Sequence, residues 1–256
     1  MCGAPRKAAG KPLGALQVVG RPIALGSLLI SAMLQVSDQD KGLIMFISQL
    51  KISSLRLVGG LAVLDYLNTC NGRRPGSALG EVVDKLATLE DVVRWFQHTS
   101  LINDQEFERY LELAEHPSAA FSFQRLIAFR EQLYQLLLPV AEGRLLDDRA
   151  LNYLNQVLGS TAAQRRLIMQ GQHAIWQWEI GNSLDDMTDN FMARLATQAA
   201  SLLTGPDQLR LKVCATPDCD WLFIDNSKNG GRRWCQMNIC GSREKARKRS
   251  GVGWTI

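Results

Sequence analysis

The sequence is short of the residues from which active sites are usually assembled. It has three histidines, His98, His116 and His173, scattered and without an acidic or cysteine neighbour at ligand spacing. Neither Gly-x-Ser-x-Gly nor His-Glu-x-x-His occurs, and no glycine-rich stretch runs into Gly-Lys-Ser/Thr, so hydrolase, zinc-protease and phosphate-loop chemistries are not announced. No catalytic residue is assigned on these grounds. Long apolar runs are missing too. The longest candidate, residues 23–36, is about fourteen residues against the roughly twenty needed to span a bilayer. Basic residues precede it as in a secretory signal, but Arg21-Pro22 interrupts the run and no small-residue cleavage site closes it. The expectation is a cytoplasmic protein without a membrane partner. Residues 1–52, which open with the breaker-rich Ala4-Pro-Arg-Lys-Ala-Ala-Gly-Lys-Pro12, are expected to be a poorly ordered extension.

Cysteine is also scarce, and its placement is what matters. Four of the six cysteines form two pairs with the same spacing, Cys214-Ala-Thr-Pro-Asp-Cys219 and Cys235-Gln-Met-Asn-Ile-Cys240. Two thiolate pairs brought from different parts of a chain close a tetrahedron around one ion, as in structural zinc sites. With sulfur at all four positions no place remains for water or substrate, so the zinc would be structural. A two-disulfide knot is the alternative; leftover Cys2 and Cys70 fit a reducing compartment better. Between the pairs, Cys219-Asp-Trp221-Leu-Phe223-Ile-Asp225 alternates like a strand and Asn226-Ser-Lys-Asn-Gly230-Gly231 reads as a turn. Arg232-Arg233-Trp234 returns, which predicts a hairpin. Trp221, Phe223 and Trp234 carry nearly all the large apolar bulk, too little for a module of this size to fold without a metal.

Charge is concentrated in the same place. Residues 205–256 hold ten Lys/Arg against five Asp/Glu, whereas the rest of the chain holds 19 against 20. An anionic partner is therefore expected for this module alone. The run after Cys240 is made of helix formers with its positive charge toward the C-terminal end. Arg232, Arg233, Arg243, Lys245, Arg247, Lys248 and Arg249 are the candidate phosphate contacts, four to six of them engaged at once, with Arg243 also placed to brace the knuckle. DNA is the first reading. An RNA- or ribosome-associated zinc protein and a protein-interaction module are the alternatives.

The remainder reads as mostly helical. Periodic apolar stripes predict helices over 88–98, 103–115, 121–140, 147–158 and from Ser183 to the Gly205-Pro206 stop. In the longest of these Arg125, Arg130 and Glu131 are expected to lie off the buried stripe. Period-two alternation over 166–170 and, more strictly, over 173–180 predicts a strand pair turning near Gly171. Gly59-Gly60 permits a sharp turn or a close backbone approach. Asp65, Asn68 and Thr69 are polar residues in or ending an apolar segment, so they brace neighbouring backbone or line a pocket. Should the larger domain bind a small-molecule effector, the candidates are Asp65, Asn68, a wall from Trp95, Trp176 or Trp178, and the charge of Arg130. Core packing is the plainer role for the tryptophans.

Cys-x4-Cys followed by Arg-Arg-Trp-Cys-x4-Cys-Gly-x-Arg-x-Lys resembles the CGNR zinc finger, found in bacterial proteins that also carry an ABATE domain. Leu57-Val-Gly-Gly-Leu-Ala-Val-Leu-Asp65-Tyr-Leu-Asn68-Thr69 is similar to the opening of that domain, and Ala199-Ala-Ser-Leu-Leu-Thr-Gly-Pro206 to its end. The resemblance covers about residues 53–250 and implies transcription regulation through DNA. It departs at Ser242, where the signature has asparagine; serine still caps a helix but lacks the amide. The expected architecture is α+β: a mostly helical domain with a small antiparallel sheet over 53–206, and a four-cysteine, zinc-ribbon or treble-clef-like module over 207–256. The helical domain is expected either to form a homodimer or to sense a signal.

Overall fold

The computed structural model describes residues 51–74 and 82–250. The expectations for residues 1–50, including the apolar stretch 23–36, lie outside them. Residues 51–53 are helical, and Ile52 is already buried in the main core.

A short helix, α1 (Ala62–Leu67), sits at the centre of the body, packed on α4 (Ala119–Ala141) and α6 (Leu184–Thr204). Around it lie α2 (Leu89–His98), α3 (Asp104–Ala114) and α5 (Asp148–Ser160). The starts of α2, α3, α5 and α6 are set by side chains that take up free backbone N–H groups. Thr88 accepts from the Asp91 N–H, and Ser183 from that of Asp186. Asn103 and Glu106 form a reciprocal capping box at α3. The stripes expected from periodicity are the faces that become buried: Leu89, Val92, Val93 and Phe96 on α2; Leu126, Phe129, Leu133, Leu136 and Leu137 on α4; Phe191, Leu195, Ala199 and Leu202 on α6. Aromatic rings join them. Phe96 and Phe191 stack at 3.8 Å, and Trp95 lies 5.0 Å from Tyr66 of α1. Such a pair adds about 1 kcal/mol beyond the burial of each ring.

Among the described residues, three two-stranded antiparallel sheets decorate this core. β1 (Cys70–Asn71) pairs with β2 (Val83–Asp84). β3 (Arg165–Gln170) pairs with β4 (His173–Trp178) in register Leu167↔Trp176, and Gly171 lies in the connection as the alternation predicted. The third sheet corrects an expectation. The strand between the cysteine pairs, β6 (Leu222–Ile224), pairs with β5 (Leu211–Val213) and not with the returning segment 232–234. The return is fixed differently: buried Asp225 accepts from the N–H groups of Ser227 (3.0 Å) and Arg232 (2.9 Å). A carboxylate, and not a ladder, shapes the turn.

A second correction concerns Arg130. It does not lie off the buried stripe but is 1% exposed. Its guanidinium reaches Asp84 at 2.5 and 2.9 Å, Thr69 at 2.9 Å and Glu131 at 2.9 Å. A buried cation persists only when its donors are matched in this way.

Candidate metal centre

The four paired cysteines converge. All four Sγ atoms lie within 4.8 Å of one another, and every one of these residues is buried. Cys219 and Cys235 are 3.7 Å apart, Cys235 and Cys240 3.5 Å. A tetrahedron with zinc–sulfur bonds of 2.3 Å has edges of about 3.8 Å, so the sulfur cage has the size a zinc ion requires. None of the four is in a disulfide. Their electrostatics point the same way. Hydrogen bonds from Cys219 and Cys235 pull the Cys214 thiol far down, and the nearness of Cys214 pushes theirs far up. Four thiols this close ionise together only around a cation. Cys214, Cys219, Cys235 and Cys240 would hold it, and zinc would supply cross-linking there, with no open position for a reaction.

The chain around the cage is built for it. Cys214 leaves β5 directly, and the Cys235 N–H donates to its sulfur at 3.5 Å. The last cysteine, Cys240, is carried by a π-helical turn, Met237–Gly241, that runs straight into α7 (Ser242–Arg249). Gly241 explains the glycine after the last ligand, since a Cβ there would meet the Met237 sulfur at 2.6 Å and the Trp234 ring at 3.3 Å. Ser242, in the place of the signature asparagine, makes one long contact from its hydroxyl to the Met237 carbonyl, 3.4 Å.

The module is stitched to the helical body along the outer edge of β6. Asn68, 3% exposed, donates to the Leu222 carbonyl and accepts from the Leu222 N–H, both at 2.9 Å. The Ile224 N–H donates to the Gly59 carbonyl at 2.8 Å. Gly59 must be glycine for this, because a Cβ would lie 2.7 Å from that of Leu64; Gly60 turns the chain at φ +86°. Asp65 holds the turn by accepting from the Val58 and Gly59 N–H groups at 2.7 Å. Burial pushes its carboxyl up in spite of these bonds. Asp220 accepts from the Arg73 N–H at 2.5 Å, and Tyr134 donates to the Asp220 carbonyl. Lys85 lies 4.2 Å over the Trp221 ring.

The seven basic residues singled out from sequence divide into two groups. Arg232 turns inward, donating to the carbonyls of Trp234 (3.1 Å), Val58 (3.2 Å), Ile224 (3.3 Å) and Cys235, with its charge 4.2 Å over Phe223. It is a brace, and the Arg-Arg pair in sequence gave no sign of which member would turn inward. Arg243 and Arg247 both reach Asp218, at 2.8 and 3.5 Å, which ties α7 to the first knuckle. Sequence reasoning missed Asp218, although an acid beside a ligand and opposite a basic helix was a usable signal. Arg233, Lys245, Lys248 and Arg249 are exposed.

The six residues considered for a ligand pocket are not gathered in one cavity. Asp65, Asn68, Trp95 and Arg130 are buried with the partners given above, while Trp176 and Trp178 border a separate groove between the β3–β4 hairpin and α5 and α6. Among the described residues no helix is long and apolar enough to cross a membrane.

Two family models match the chain. Residues 60–206 match ABATE, described as a putative stress-induced transcription regulator, and residues 210–250 match the CGNR zinc finger. None of the curated proteins matches it. The ABATE match spans more than half of the chain, the finger match begins four residues after its end, and both carry the motifs located above: the chain belongs to the ABATE family and bears a CGNR zinc finger at its C-terminal side.

Proposed function

We propose that the protein is a zinc-dependent DNA-binding regulator in which the finger grips the duplex and the helical body senses or dimerises. The observation that carries this reading is the cationic face of α7 on a frame fixed by four thiolates. Lys245, Lys248 and Arg249 fall at i, i+3 and i+4, so they share one side of the helix, and exposed Arg233 stands on the knuckle that precedes it. Such a surface favours phosphates and supplies affinity more than sequence selectivity. Both matched families are of regulator or zinc-finger type and not enzyme families. Reduced metal-binding thiols suit the cytoplasm.

With about four phosphates engaged, the slope of log affinity against log salt is near −3.6. The test is titration of a labelled duplex at several salt concentrations with the wild type and a Lys245→Glu, Lys248→Glu, Arg249→Glu triple variant. The slope should shallow and the affinity collapse in the variant. Binding that ignores salt, or no binding, rejects the proposal, and consistent preference for RNA in direct competition would replace it with the RNA reading.

A further inference from the structure

The β3–β4 hairpin carries two neighbouring arginines that are treated differently. Arg166 pairs with Glu179 at 2.8 Å. Arg165, on the opposite face of the ribbon, has no carboxylate within ion-pair distance among the described residues. Its guanidinium lies instead over two indoles, 4.5 Å from the centre of Trp176 and 5.6 Å from that of Trp178. The hairpin register causes this: Arg165 is directly opposite Trp178, and Trp176 is two residues along on the same face.

These three side chains form one wall of a groove of about 370 Å³. The other wall comes from α5 and α6, with Leu158 as apolar surface and Thr197 as a polar one. Among the described residues the Thr197 hydroxyl has no hydrogen-bond partner. Trp176 remains 55% exposed although its ring borders the groove, so it does not serve as core filling. The volume is at the small end of ligand sites, and its make-up is typical of them: mostly apolar and aromatic, with a few converging polar groups.

We infer that this groove binds a small planar carboxylate, an aromatic monoacid whose ring lies against Trp176 and whose carboxylate takes the N–H fork of Arg165. Charge complementarity selects the class. One unpaired guanidinium matches one negative charge, and its planar fork suits a carboxylate. A phosphate dianion would call for a second cation, and the nearest other arginine on Trp178, Arg194 at 5.0 Å, is already bonded to Glu106. The site is also connected to the finger. Thr197 precedes Gln198, whose side chain accepts from the Val63 N–H at the start of α1, and α1 leads to Asn68, the clamp on Leu222. The inference does not rest on DNA binding, and its test uses none.

Naphthoate is titrated into the full-length protein by calorimetry, with naphthamide as the uncharged control. Saturable one-to-one binding is expected for the acid and at least tenfold weaker binding for the amide. Arg165→Gln should weaken the acid at least tenfold and leave the amide unchanged, while Arg166→Gln, on the other face, should match the wild type. The acid–amide comparison needs no variant to fold. Absence of saturable heat, or equal binding of acid and amide, overturns the inference. So does a sedimentation result in which the wild type is a dimer and Trp176→Ser a monomer, because the face would then be covered by a second copy.

Discussion

The helical body and the cysteine module reach order by different routes, and their interiors show it. The body buries tyrosine, tryptophan and phenylalanine rings from five helices in one continuous core. At about 1.5–3 kcal/mol for each large apolar side chain, this burial is the body's main source of stability. The module's own interior consists of the four cysteines and Phe223, with Val58, Trp221 and Trp234 partly covering it. Leu211, Leu222 and Ile224, although they belong to its sheet, are buried in the body's core. The module therefore depends on the body for one edge of its sheet, and its interior is a four-cysteine cage that a zinc ion would close.

Removing the ion should separate the two regions most sharply. Chelation, or Cys235→Ser, is expected to abolish the bound zinc and with it about 10 kcal/mol of folding free energy in the module, while the helical circular-dichroism signal of the body survives. Metal content by mass spectrometry, together with amide exchange over 214–249, checks this. Persistent protection there in zinc-free protein would break the comparison. The converse perturbation is Phe191→Ala, which should cost the body about 4 kcal/mol and leave one zinc per chain at temperatures where it is folded. Its thermal midpoint is the readout.

Asn68→Ala attacks the seam. It leaves the buried N–H and carbonyl of Leu222 without partners, for about 3 kcal/mol, and should split melting into two transitions. A single cooperative transition would mean that the remaining contacts, from Gly59, Asp220 and Arg232, suffice. The smallest effect is acid dependence at Glu131. Burial raises its carboxyl, but hydrogen bonding from Arg73 and the charges of Arg73 and Arg130 outweigh this and hold it below its ordinary 4.5. A depressed carboxylate stabilises fully above that value and loses its contribution as pH falls through the folded one. Wild type and Glu131→Gln should therefore differ in body stability at neutral pH and converge only as pH falls below 4.5 and through the depressed folded value.

What could be read in advance follows the range of the interactions. The helix starts at Thr88, Asn103 and Ser183, the stripes behind them, the β3–β4 hairpin and the two cysteine pairs that cluster are all specified within a few residues, and each was legible. Arg130 was misplaced because its partner Asp84 is 46 residues away, and periodicity sees only neighbours on the same helix. The partner of β6 was missed for a related reason. The glycine-containing turn offered a local return, but segment 211–213, coming off α6, was the strand that could pair while facing the body's core. Arg165 was overlooked although the turn at Gly171, once placed, aligns it with Trp178. The cue was register, not composition.

Asp218 has a consequence for encounter rates. By pairing with Arg243 and Arg247 it offsets part of their charge, and it also sets the heading of α7 before a partner arrives. A helix already aimed has little rotational freedom left to surrender on landing. Productive collisions should then be limited by diffusion and the long-range pull of the remaining charges, and not by a search among orientations of the tail.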